Sequence, residues 1–203
     1  IYSDDEELTP KFCGINYKFA MYMIALGDYL DTSRGLKLMV SSWKKFSDAS
    51  ISTKAKAGGS YLNSSLARTE AMRNGYDEAL VMDDNWKIVE GSAENIMIVY
   101  RGEVILPETG SSMLEGITMR TVLDLLKDEK IPVRFESIDR SMIYICDELL
   151  LTGTGAQILF AESVDGRVIG EDGSQGSVCK LLRKAFNDVI ELKSPRSKKW
   201  ITE

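Results

Sequence analysis

The sequence of 203 residues predicts an α+β fold, in which helices pack against a mixed sheet with tight turns. Three observations predict it. Short apolar segments typical of strands recur along the chain, while a few longer segments carry apolar residues at helical spacing. Arg101-Gly102 and Asp165-Gly166 have the composition of hairpin turns. The strands and helices do not alternate regularly, which argues against a doubly wound parallel sheet.

In the first half, a strand is predicted at residues 36–43 and a helix at residues 61–74, which Gly75 terminates. The buried positions of this helix are expected to include Leu62, Leu66 and Ala67. Further strands are predicted at residues 78–82, 95–100 and 103–106.

In the second half, an amphipathic helix is predicted at residues 118–127 and a final helix at residues 177–192. The apolar positions of the first are Met119, Val122, Leu123, Leu125 and Leu126. The apolar stripe of the second includes Val178, Leu181, Leu182, Ala185, Phe186, Val189 and Ile190. Between these helices we expect strands at residues 132–136, 149–152, 158–164 and 167–169, and a short helix at residues 141–145.

Composition restricts the chemistry available to this chain. It has no histidine, which excludes Ser-His-Asp catalysis and almost every common zinc site. Cys13, Cys146 and Cys179 are far apart with no C-x-x-C pair, so we expect no disulfide framework, no metal site and a reducing cytoplasm. A net charge of −6 argues against nucleic acid as a partner. No apolar segment is long enough to span a membrane.

Residues 54–68, KAKAGGSYLNSSLAR, are the most informative segment. A lysine such as Lys56 forms imines when burial or a cationic neighbour keeps its amine partly neutral. Gly58 and Gly59 let the backbone approach a ligand closely, and Tyr61 offers a phenol. These residues indicate a site for an aldehyde cofactor; the alternative is a solvated loop lysine.

Residues 89–95, VEGSAEN, place Glu90 and Glu94 in a predicted tight turn after a strand-like segment. A carboxylate that faces a ring nitrogen keeps it protonated, which makes the ring an electron sink. Glu90 is the candidate for this role, and the alternative is an acid exposed in a turn.

Residues 114–120, LEGITMR, lead into the first amphipathic helix. Gly116 allows a sharp turn there, and the helix begins with amides that lack intrahelical partners. The backbone of Ile117 and Thr118, with the Thr118 hydroxyl, is therefore a candidate phosphate site.

Residues 151–157, LTGTGAQ, follow a predicted strand. They lack the third glycine of a dinucleotide fingerprint, because Ile158 occupies that position. Taken alone, this segment is typical of a Ser/Thr cap or a tight turn.

In this order, AKAGGSYLNS, EGSAEN, LEGIT and TGTGA resemble the branched-chain amino acid aminotransferases, pyridoxal-phosphate enzymes of fold type IV. The resemblance covers about residues 35–190. It implies the large cofactor-binding domain of that fold, with barrel-like mixed sheets and surrounding helices. The implied reaction is transfer of nitrogen from leucine, isoleucine or valine to 2-oxoglutarate by a homodimer or a higher homo-oligomer.

The resemblance also implies roles for individual residues. Lys56 would be the Schiff-base lysine and proton shuttle, Glu90 would pair with the pyridine nitrogen, and Tyr61 would hydrogen-bond the ring oxygen. The remaining cofactor contacts would come from Glu94, Leu114, Gly116, Ile117, Thr118, Gly153 and Thr154. The substrate contacts would come from Thr154 and from the amides of Gly155 and Ala156.

Three residues depart from the family pattern. Members usually have asparagine at Ser60, a second alanine at Gly155 and glutamate at Gln157. Because backbone amides bind the carboxylate in that loop, glycine at 155 keeps the donor and loosens the loop.

The front of the chain also departs from the family. Residues 1–24 resemble the end of the family's small N-terminal domain, residues 25–35 its interdomain linker, and residues 36–203 its large domain. Most of the small domain, which supplies a phosphate-clamping arginine, is not in this sequence. We therefore expect these residues to fold, bind cofactor poorly and turn over slowly.

Three alternatives remain open. A different reaction on the same scaffold is one, as in D-amino acid or amine transaminases or aminodeoxychorismate lyase. A non-catalytic binding homologue is the second. A generic α/β domain with coincidental motifs is the third.

Overall fold

The computed structural model describes residues 2–3, 11, 13–25, 30, 33–108, 110 and 112–200 of the chain. Within them, the strands are β1 Leu36–Lys44, β2 Glu78–Met82, β3 Lys87–Gly91, β4 Asn95–Tyr100, β5 Glu103–Leu106, β6 Val133–Phe135, β7 Ile138–Asp139, β8 Glu148–Gly153, β9 Gln157–Val164 and β10 Arg167–Val168. The helices are α1 Tyr61–Arg73, α2 Ile117–Asp128, α3 Arg140–Ile143, α4 Ser177–Ile190 and α5 Ser197–Trp200. A 3₁₀ turn, Gly58–Ser60, precedes α1.

The strands form one mixed sheet in the order β6-β5-β4-β8-β9-β1-β2-β3-β7, with β10 paired to β9. Strand β1 runs parallel to both of its neighbours, β2 and β9, and β5 runs parallel to β6. The other pairs are antiparallel. This mixed sheet with helices confirms the predicted α+β fold.

Apolar residues cover both faces of the sheet, because side chains alternate along a strand. In β4, Ile96 and Ile98 belong to one hydrophobic cluster, while Met97 and Val99 belong to the other. Helices α1, α2 and α4 cover the second cluster. Burial on both faces explains why the central strands read as continuous apolar segments.

Most predicted elements are present with ends shifted by one or two residues, but the segment containing Glu90 is an exception. Residues 87–91 form β3, which pairs with β2 and places Glu90 opposite Val81. Glu90 therefore lies in a strand and not in a turn, and Glu94 follows that strand. The polar turn between β2 and β3 concealed the short strand in the sequence.

The expected burial of two leucines on α1 is wrong. Leu62 is 69% exposed and Leu66 is 37% exposed, whereas Ala67 is buried as expected. Helix α1 packs on β1 and β2 through Ala67 and Ala71, whose small side chains allow close approach to the sheet. The leucines consequently lie on the side of the helix that faces away from it.

The final helix buries only part of its predicted stripe. Leu182 and Val189 are buried, whereas Ile190 is about half exposed. Among the described residues, no helix is long and apolar enough to cross a membrane.

The proposed front of the chain is only partly described. Tyr2 and Lys18 form an isolated antiparallel bridge, and most of residues 13–25 are exposed. In the predicted linker, residues 26–29 and 31–32 lie outside the described residues. The division at residues 24 and 35 stays a prediction.

Candidate active site

A cavity of about 320 Å³ lies where four segments of the chain meet. These are the loop before α1, the end of β3 with the turn that follows it, the start of α2 and the end of β8. Strands β4 and β8 are neighbours, with Asn95 opposite Thr152, so their ends reach the same side of the cavity. The pairing of the strands thus assembles segments that are distant in sequence.

Every residue predicted to contact the cofactor lines this cavity. They are Lys56, Tyr61, Glu90, Glu94, Leu114, Gly116, Ile117, Thr118, Gly153 and Thr154. Gly155 and Ala156, which were expected to bind the substrate carboxylate, follow Thr154 in the turn before β9 and do not line it. Ala156 is buried in the hydrophobic core.

Among the described residues, three lysines line the cavity, and their ammonium groups have different surroundings. Lys45 Nζ forms an ion pair with Glu90 Oε1. Lys54 Nζ donates a hydrogen bond to the Met113 carbonyl at 3.0 Å. The Lys56 side chain is exposed, and its Nζ lies 5.8 Å from the centre of the Tyr61 ring. Within the part of the chain that the structure describes, Lys56 makes no hydrogen bond or ion pair, so its amine is available to a ligand.

Glu90 is held at both carboxylate oxygens. Its side chain is buried; Oε1 pairs with Lys45 and Oε2 accepts a hydrogen bond from the Leu114 amide at 3.1 Å. Burial raises the pKa of Glu90, while the Lys45 ammonium and the Leu114 amide act in the opposite direction. An acid in this position can stabilise a positive charge placed in the cavity.

Glu94 belongs to a second group of buried acids beside the cavity. Burial, and then the neighbouring Glu78 carboxyl, raise the pKa of Glu94 to about 8. Burial also raises the pKa of Glu78, whose Oε2 lies 3.5 Å from Arg68 Nε. Glu94 is therefore mostly protonated at neutral pH and has a proton to donate.

The loop that precedes α2 is fixed by one side chain. Asn95 Nδ2 donates to the Leu114 carbonyl at 2.7 Å, and Asn95 Oδ1 accepts from the Gly116 amide at 2.9 Å. No side chain caps α2 at its N-cap residue, Gly116. The first amides of α2, at Ile117 and Thr118, thus begin a helix at the cavity wall, where an anion is favoured.

Two buried hydroxyls support a polar ligand in this cavity. Ser60 Oγ and Thr152 Oγ1 line it, and both are buried without a hydrogen-bond partner. Leaving a buried hydroxyl unpaired costs free energy, so a ligand with polar groups would satisfy them. The residues present fit a cofactor with a phosphate, a ring nitrogen and a carbonyl carbon that accepts an amine.

Comparison with known proteins gives the family. The family model described as amino-transferase class IV matches residues 3–164. The chain belongs to the class IV aminotransferases. This class IV aminotransferase chain is 41% identical to a protein from Aquifex aeolicus named "Probable branched-chain-amino-acid aminotransferase", over 99% of this chain and 65% of that protein.

Solved structures give the same result. A branched-chain aminotransferase from Thermoproteus uzoniensis, crystallised with norvaline, has a TM-score of 0.94 at 34% identity and covers 99% of this chain and 66% of its own. A branched-chain amino acid aminotransferase from T.th., complexed with N-(5'-phosphopyridoxyl)-L-glutamate, has a TM-score of 0.80 at 37% identity, covering 83% and 56% of the two chains. This class IV aminotransferase chain spans about two thirds or less of the length of these relatives.

Sequence reasoning missed three residues of this class IV aminotransferase cavity. Lys45 and Thr152 line it and have no motif of their own. Asn95 lies within VEGSAEN, so its motif was recognised but its role was not. The only sequence signal for Lys45 is its position directly after a predicted strand.

Proposed function

We propose that this chain carries the cofactor site of a pyridoxal-phosphate-dependent aminotransferase that transfers nitrogen from branched-chain L-amino acids to 2-oxoglutarate. The observation that carries the proposal is one cavity lined by both Lys56 and Glu90, with an amine available at one and a held carboxylate at the other. The phosphopyridoxyl-glutamate and norvaline complexes of its relatives support the cofactor, the glutamate partner and an aliphatic substrate.

When bound, the cofactor would supply an aldehyde carbon and a ring that accepts electrons. Lys56 would provide the amine that attaches to that carbon and, once released, would move a proton between the substrate and the cofactor. Glu90 would hold a proton on the ring nitrogen. Tyr61 would donate to the ring oxygen, and Leu114 would pack on the ring.

The phosphate would be bound at the start of α2. The backbone of Ile117 and Thr118 offers donors there, and Thr154 adds a hydroxyl from the end of β8. Glu94, Gly116 and Gly153 complete the cofactor contacts. Gly155 and Ala156 would bind the substrate carboxylate through their amides, beyond the cavity that holds the cofactor.

The three lysines of the cavity allow a sharp test. The full chain is incubated with pyridoxal phosphate, reduced with borohydride and digested, and the labelled lysine is identified by mass spectrometry. We expect the label on Lys56, its loss in Lys56→Ala, and its retention in Lys54→Ala. A label on Lys45 or Lys54, or no label, contradicts the assignment.

Substrate class needs a separate measurement. The full chain is assayed with leucine, isoleucine and valine against 2-oxoglutarate, beside D-amino acids. We expect branched-chain keto acids and glutamate. Turnover of D-amino acids alone would favour the other transaminases of this fold, and release of pyruvate from aminodeoxychorismate would favour the lyase.

We also propose that residues 36–203 form the large domain, since the sheet begins at Leu36. The homodimer, the reducing cytoplasm and the assignment of residues 1–24 and 25–35 to a small domain and a linker stay predictions.

A further inference from the structure

Lys45 occupies a fixed position between the sheet and the cavity. Its backbone amide donates to the Met82 carbonyl at 2.8 Å, which ties the end of β1 to β2. Its ammonium pairs with Glu90 and lies 4.5 Å from the centre of the Phe46 ring. The side chains of Lys45 and Glu90 are only 10% and 8% exposed. The ammonium is therefore held by a carboxylate and an aromatic face, away from bulk water.

The burial of this pair makes each charge depend on the other. A buried ion left without its partner is strongly unfavourable, and a carboxylate in that situation takes up a proton. The Leu114 amide is a single neutral donor to Glu90 and does not replace a positive charge. A protonated Glu90 would no longer stabilise a cationic ring nitrogen.

We propose that Lys45 is a positioning residue of this site, which keeps the Glu90 carboxylate ionised and oriented for a protonated ring nitrogen of the cofactor. The inference rests on the proposed function for the identity of the ring. A carboxylate has about four lone-pair positions, so Glu90 can bind Lys45, the Leu114 amide and a further donor together.

Other charged groups near Glu90 do not replace Lys45. The Lys54 ammonium favours the ionised form of Glu90 but is bonded to the Met113 carbonyl. Glu94 and Glu90 disfavour each other's negative charge. Lys45 is thus the cation in direct contact with Glu90.

The first test uses the chain without cofactor, so it does not depend on the proposed function. Glutamate carboxyls are labelled with ¹³C, and the Glu90 signal is assigned by its loss in Glu90→Gln. In Lys45→Met we expect Glu90 to bind protons at least tenfold more tightly than in the unsubstituted chain. Lys45→Arg should restore the original titration, because it keeps the charge.

The neighbouring lysine provides a matched control. Lys44 Nζ lies 3.6 Å from the centre of the Trp86 ring, and Lys44 does not line the cavity. Lys44→Met removes the same charge one residue away and should leave the Glu90 titration unchanged. An unchanged titration in Lys45→Met, or an equal change in Lys44→Met, overturns the proposal.

The second test asks whether Lys45 acts through Glu90. Pyridoxal-phosphate affinity is measured for Lys45→Met, Glu90→Gln and the double variant, in which the two buried groups are both uncharged. We expect the double variant to bind as Glu90→Gln does, since Lys45 has no further effect once Glu90 is neutral. Additive losses would mean that Lys45 contacts the cofactor directly and would overturn the positioning role. If Lys45→Met does not fold, Lys45→Arg and the double variant still decide the question.

A chain that shows the Glu90 titration effect but binds no cofactor would refute the proposed function while leaving the ion-pair assignment in place. The reverse result, cofactor binding that is indifferent to Lys45, would refute this inference alone.

Discussion

Asn95 and Gly116 are in such close contact that a Cβ atom added to Gly116 would clash with Asn95 Oδ1. The backbone of Gly116 has φ −73° and ψ 148°, which any residue can adopt. Glycine is therefore required at this position for space and not for its backbone freedom. The contact holds the loop from which α2 begins at the cavity.

Gly116→Ala should weaken the binding of pyridoxal phosphate, because the added methyl pushes Asn95 away from the loop. We expect a loss of affinity of about tenfold or more, measured by titration of the full chain. Gly110→Ala is the control, since a Cβ atom at Gly110 meets no other atom within 4 Å. Equal affinities of the two variants would contradict this role of Gly116.

Glu148 stabilises α4 from the neighbouring strand β8. Its Oε1 accepts from the Val178 amide at 2.9 Å, and its Oε2 accepts from the Cys179 amide at 2.8 Å. Glu148→Ala leaves two helix amides unpaired, so the free energy of unfolding should fall by about 2 to 4 kcal/mol. Denaturant unfolding measures this. Glu171→Ala, at an exposed position, should change stability by less than about 0.5 kcal/mol.

The raised pKa of Glu94 predicts a pH-dependent stability of the chain without cofactor. Because the pKa is about 8 in the folded chain against an ordinary value of 4.5, folding favours the protonated form. Stability is then fully present below pH 4.5 and is lost as the pH rises through 8, with an upper bound of about 4 kcal/mol at pH 8. Glu94→Gln should lose less stability between about pH 5 and pH 8.5, measured by denaturant unfolding.

Glu78, whose pKa burial also raises, remains in that variant and keeps part of the pH dependence. Glu171→Gln serves as the exposed control and should follow the unsubstituted chain. A Glu94→Gln profile that is parallel to the unsubstituted one would show that Glu94 is ionised in the folded chain at neutral pH.

The cysteines should differ sharply in reactivity. Burial raises the pKa of Cys146 to about 12 and that of Cys179 to about 11, whereas Cys13 is exposed. In the native chain at about pH 8, dithionitrobenzoate should react rapidly with one thiol, and with all three after denaturation. Cys13→Ser should abolish the rapid phase. A second rapid thiol in the native chain would show that the core opens there.

The sequence predicted most of the fold because its strands are continuous apolar segments and its helices have apolar residues at helical spacing. It was less successful where an element depends on a neighbour. Strand β3 is short and polar at its start, and its pairing with β2 defines it. The exposed Leu62 and Leu66 have the spacing of buried positions, but helical spacing does not say which side meets the sheet.

The candidate site shows the same limit. Lys56 and Glu90 were found from motifs, because their residue types and glycine neighbours are unusual for ordinary loops. Lys45 and Thr152 were not found, since a lysine after a strand and a threonine in a strand are common in every sheet. Their positions at the cavity depend on strands that pair across the fold.

By itself, the order of residues determined the fold class and the motifs that indicate an amine-binding cofactor site, because backbone preferences and residue chemistry are local properties. Only the tertiary structure decided which lysine is paired with Glu90, which is available, and which acids share a buried environment. Those properties depend on burial and on distances between separate strands, and both exist only after the sheet has formed.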